Sequence, residues 1–81
     1  MRITILKKAK KFILKQPAPQ GKRILSAIYR LPLGDVKPLK NELGVFRLRV
    51  GDYRIFFRMD ETLEIILVES AGNRGDIYKQ P

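Results

Sequence analysis

An 81-residue chain with 17 Lys and Arg against 8 Asp and Glu carries a net charge of +9, and it contains neither cysteine nor histidine. That size predicts one small domain, residues 1–81, and the missing residue types exclude disulfides, thiol nucleophiles, imidazole acid–base chemistry and the usual zinc ligand sets, so neither metal nor cofactor is expected. The charge points to a polyanionic partner; nine basic residues and no acid fall in the first 34 positions, whereas eight of each share the remainder. No run approaches the roughly 18 apolar residues of a membrane span, and a chain without cysteine fits a reducing compartment, so a soluble cytoplasmic protein with no membrane partner is expected.

Residues 2–6 (RITIL) read as a first strand with Ile3 and Ile5 on one face. Residues 7–15 (KKAKKFILK) put Ala9, Phe12, Ile13 and then Gln16 at helical spacing with lysines around the rest, which predicts a basic amphipathic helix. Lys7, Lys10 and Lys11 on it are candidate phosphate contacts without sequence preference; the plainer alternative is a solvated helix face. Two prolines in residues 16–21 (QPAPQG) interrupt the helix, and Pro19 suits the first turn of the next one. That second helix runs to about Leu31, with Ile24, Ala27, Ile28 and Leu31 as its apolar stripe, Leu25 widening it and Pro32 ending it.

Residues 32–43 (PLGDVKPLKNEL) read as a loop that carries Lys37 and Lys40, two further candidate phosphate contacts. Residues 44–59 (GVFRLRVGDYRIFFRM) read as two strands folded back around Gly51-Asp52, a Gly-first loop suited to a tight hairpin turn. A two-residue loop sets Val50 opposite Tyr53, Arg49 opposite Arg54, Leu48 opposite Ile55 and Arg47 opposite Phe56. Arg47, Arg49 and Arg54 then share one face. Like charges directly opposite one another destabilise a sheet by roughly 0.2–1 kcal/mol, so that placement points to an anion over the face, against the alternative of a solvated outer surface. Asp60-Glu61 makes a second turn. Residues 62–70 (TLEIILVES) form a third strand, apolar on both faces and therefore central, and residues 71–81 are a tail. The two helices are expected on the face of Phe46, Leu48, Ile55 and Phe57, leaving the arginines uncovered.

The pieces GDVKPLK, FRLRVGDYRIFF and GNRGDIYK, together with KKAKKFILK and KRILSAIYRL, make the chain similar to the RelE/ParE family of toxins from toxin–antitoxin pairs. The resemblance covers essentially the whole chain. It implies a β-α-α-β-β-β domain of α+β class, with an antiparallel sheet and both helices on one face, a cytoplasmic location and a cognate antitoxin partner. RelE-type members cut messenger RNA in the A site of the ribosome; ParE-type members poison DNA gyrase without a catalytic set. Carried onto this sequence, the RelE-type site falls on Arg49, Arg54, Arg74 and Tyr78 as catalytic residues, with Arg47 as an RNA contact. Two positions depart from the pattern: Asn73 stands where many relatives have histidine, and the strand positions often held by lysine are arginine here. The competing readings are a gyrase inhibitor and an inactive toxin kept as an antitoxin partner.

The residue types suit RNA cleavage because RNA supplies its own nucleophile, the 2′-hydroxyl. What is left for the protein is alignment, neutralisation of charge on the phosphoryl oxygens, and proton traffic. Guanidinium groups serve the second task, being planar, permanently charged and able to grip phosphate with two N–H groups. Tyr78 is either the base, its phenolate favoured by neighbouring cations, or a stacking platform for a splayed base. A site with such weak acid–base groups should work by positioning, with the ribosome holding the message.

Overall fold

The computed structural model describes residues 1–73. The elements run β1 (Arg2–Ile5), α1 (Lys7–Leu14), α2 (Ala18–Ile28), β2 (Asp35–Pro38), β3 (Val45–Val50), β4 (Tyr53–Asp60) and β5 (Ile65–Asn73). The strands form one sheet in the order β1-β5-β4-β3-β2. Both helices lie on the same face. Ala9 and Ile13 of α1 and Ile24 and Ile28 of α2 meet Leu48, Val50, Ile55, Phe57, Ile66 and Val68 in a single core. These are the apolar stripes expected from helical and two-residue periodicity.

The α+β class and the one-sided helices agree with the expectation, while the sheet differs in two respects. It is mixed, because β1 runs parallel to β5, Ile3 and Ile5 lying beside Ile66 and Val68. The two helices carry the chain from β1 at one edge of the sheet to β2 at the other, and β5 returns beside β1 running in the same direction. The second difference is β2, inside the segment expected to be loop. Its residues DVKP have no apolar alternation, and it exists through its ladder to β3 alone. Pro38, which has no N–H to give, ends this edge strand.

The hairpin register is as predicted, with Val50↔Tyr53, Arg49↔Arg54, Leu48↔Ile55 and Arg47↔Phe56. Gly51 has φ +59 and Asp52 has no positive φ, as a type II′ turn requires. Tyr53 ties the hairpin to the helical layer: its hydroxyl donates to Gln16 Oε1 at 3.1 Å and its ring meets Phe12 edge-on at 6.0 Å. β5 lies between β1 and β4, as its two apolar faces imply, but starts three residues later than expected and runs on through Ala71, Gly72 and Asn73. Those three small or polar residues are held in the sheet by pairing with Ile55, Arg54 and Tyr53. One residue of β5, Glu69, is bulged out where the register shifts between Phe56 and Phe57.

Candidate RNA-binding face and the family

The face away from the helices is built in rows. Across the sheet, Asp35, Arg49, Arg54 and Gly72 stand side by side, and the next row is Lys37, Arg47, Phe56 and Ser70. Four basic residues and one acid therefore meet on a patch two rows deep. Alternation along β2, β3 and β4 delivers all of them to one side, and the short turn at Gly51 keeps β3 and β4 in phase.

Within this face the arginines differ in depth. Arg54 is 6% exposed and is the one buried charged residue among the described residues, whereas Arg49 beside it is exposed and donates from Nε to the Gly51 carbonyl at 3.4 Å. Gly72, on the other flank of Arg54, contributes no side chain. Arg47 is half-buried and its Nη2 lies 3.4 Å from Asp35 Oδ1. Arg58, one row further, pairs with Glu69 at 3.1 Å, which removes it from the set. Such exposed pairs are worth little to stability, about 0–1 kcal/mol. Their effect here is to set which cations are already engaged by a carboxylate.

Of the residues proposed from sequence, Arg47, Arg49, Arg54 and Lys37 are brought together. Lys40 is exposed in the loop after β2. Lys7, Lys10 and Lys11 are exposed on α1, which packs on the opposite face, so the sheet lies between them and the arginines. They belong to a separate basic surface. Arg74 and Tyr78 lie outside the described residues. Two further features went unassigned. Phe56 sits half-buried in the middle of the arginine rows; its pairing with Arg47 already placed it there, and it offers an aromatic surface to a base. Arg23 and Arg30 line a groove with Arg49, and helical spacing alone does not foretell that groove.

The fold and the guanidinium rows define a small basic α+β domain with its arginines gathered on the sheet face opposite α1 and α2. Over residues 3–76 the chain matches the family described as the ParE toxin of type II toxin–antitoxin system, parDE. It is 34% identical over 67 residues to Toxin RelG of Mycobacterium tuberculosis, across 72% of this chain and 77% of that protein. The chain therefore belongs to the RelE/ParE family of type II toxin–antitoxin toxins. Its fold is similar to that in the RelBE2 toxin–antitoxin complex from Mycobacterium tuberculosis, with TM-score 0.77, 26% identity, and coverage of 90% of this chain and 96% of that one. It is also similar to the RelB–RelE antitoxin–toxin complex from Methanococcus jannaschii, with TM-score 0.74, 27% identity, and coverage of 91% and 93%. No helix among the described residues is long and apolar enough to cross a membrane.

Proposed function

We propose that this chain is a toxin that cuts messenger RNA in the ribosomal A site, and that its sheet face grips the scissile phosphate. The observation that carries this reading is the meeting of Lys37, Arg47, Arg49 and Arg54 on the side of the sheet opposite α1 and α2. In the reaction the message's 2′-oxygen loses its proton and bonds to phosphorus. The bond from phosphorus to the 5′-oxygen breaks, and that oxygen gains a proton. Arg54, deep in the face, and Arg49, at its surface, hold the phosphoryl oxygens as negative charge grows on them. A site partly withdrawn from water strengthens that hold. Phe56 stacks against a base of the bound strand.

Arg74 and Tyr78 complete the site in this proposal, Arg74 on phosphate and Tyr78 as either base or stacking platform. Removing one oxygen separates the two roles. Tyr78→Phe should abolish cutting of translated message if the phenol moves the proton, and should largely spare it if the ring only stacks. Primer extension on message from cells expressing the variant reads the difference. Because the side chains align better than they transfer protons, purified protein should cut naked RNA poorly; vigorous degradation of free RNA would contradict the proposal.

The partner in the resting state is a cognate antitoxin, in keeping with the complexes formed by similar proteins. Against a chain of net charge +9, its binding segment should be acidic, with affinity that falls as salt rises. The second reading, inhibition of DNA gyrase, is favoured by the ParE description of the matching family. Induced expression of the wild type decides between them. Ribosome-dependent cuts in message support the nuclease, and DNA damage with intact message supports the gyrase inhibitor.

A further inference from the structure

A groove of about 380 Å³ opens at the corner where β2 has not yet begun. β2 pairs with β3 only from Asp35 opposite Arg49, so Val50 and Gly51 have no β2 neighbour, and α2 with its following turn stands over them. Arg23, Arg30 and Arg49 line this space together with Leu48 and Val50. Its single carboxylate, Asp35, is already 3.4 Å from Arg47 Nη2. Among the described residues, Arg23, Arg30 and Arg49 form no ion pair.

Small residues keep the groove open. Ala27 lies between Arg23 and Arg30 along the chain and presents only a methyl group. Gly34 has φ +117, and a Cβ there would stand 3.2 Å from Leu48 Cδ1, so a side chain would press on Leu48. A Cβ on Gly51 would lie 3.5 Å from both terminal nitrogens of Arg23, which places that guanidinium directly over the hairpin turn. Three cations around one recess repel one another, and an anion entering it relieves that repulsion.

Arg49 belongs to both the groove and the arginine rows. We propose that the groove is a second phosphate site, which takes a backbone phosphate of the same RNA strand as it leaves the sheet face around the hairpin corner. This rests on the reading of the protein as RNA-cutting. The forked guanidinium donors suit phosphate oxygens, and apolar Leu48 and Val50 give a ribose or base a dry surface.

The test uses the full chain and a fluorescein-labelled 12-nucleotide single-stranded RNA with 2′-O-methyl groups, which cannot be cut. Anisotropy titrations between 50 and 200 mM salt give the slope of log affinity against log salt. Each single-strand phosphate contact contributes about 0.7 to that slope, so Arg23→Gln with Arg30→Gln should reduce it by about 1.4 and weaken binding roughly 10–30-fold at 0.1 M salt. Arg23→Lys with Arg30→Lys should restore most of the slope. Lys8→Gln with Lys22→Gln, which removes the same charge outside the groove, should change binding far less. Arg30→Gln alone, in an exposed turn away from the hairpin contact of Arg23, should give about half the slope change with an unaltered melting curve. An unchanged slope in the double arginine variant would overturn the proposal, as would an equal loss in the lysine control. Retained RNA binding with lost affinity for a 12-residue polyglutamate peptide would instead make the groove a protein site and overturn it too. Cleavage stands apart from this readout: a wild type that cuts no message, yet shows the predicted slope change, would sink the nuclease reading and leave the groove standing.

Discussion

Replacing Arg54 with alanine should abolish growth arrest on induced expression and lower message cutting by about 10²–10³-fold, the loss that follows removal of one well-placed donor to a developing oxyanion. Arg54 is the deepest cation of the face, at 6% exposure, and it stands opposite Arg49 on one flank and beside Gly72 on the other. It is withdrawn from water and has a like charge as its cross-strand neighbour, a pairing that costs about 0.2–1 kcal/mol by itself. Arg54→Met, which keeps much of the volume and removes the charge, should also be inactive. Arg54→Lys keeps the charge but loses the planar fork, and should retain only a fraction of the activity. Full message cutting by Arg54→Ala would end the assignment. A methionine variant that keeps full cutting would end it as well.

Phe57→Ala should cost about 3–5 kcal/mol, a large share of the roughly 4–12 kcal/mol that holds a domain of this length together. Phe57 is fully buried in the middle strand of the sheet and stacks on Phe46, with ring centroids 5.5 Å apart and planes 20° from parallel. It shares the core with Ile24 and Ile28 of α2 and with Ile66 and Val68 of β5, so its removal leaves a void where the helical layer meets the sheet. Urea unfolding followed by circular dichroism should show the midpoint falling sharply with little change in slope. Leu14→Ala is the contrast: Leu14 is 74% exposed and should stay within about 0.5 kcal/mol of the wild type.

The hairpin was legible because its information is local. Alternation assigns each residue to a face, a Gly-first pair shortens the turn, and those two facts set Arg49 against Arg54 before any coordinates are known. What alternation does not carry is depth. Nothing in FRLRVGDYRIFF distinguishes a buried Arg54 from an exposed Arg49, since the difference depends on what lies along neighbouring strands. β2 was hidden for a related reason: an edge strand of four residues, pairing on one side only, needs no apolar pattern of its own. The parallel union of β1 with β5 joins segments about 60 residues apart, beyond the reach of any window of periodicity. Arg23 and Arg30 were overlooked because α2 displays a clear core stripe, and its polar positions then read as solvent-facing. Their groove exists only because β2 begins where it does.

The bulge at Glu69 acts as a change of reading frame within β5. Upstream of it, even-numbered positions such as Ile66 and Val68 face the helices; downstream, the odd-numbered Ala71 packs on that side and Gly72 lies on the other, next to Arg54. Deletion of Glu69 would take out only the extra residue, straightening the strand while leaving Ala71 opposite Ile55 and Gly72 beside Arg54.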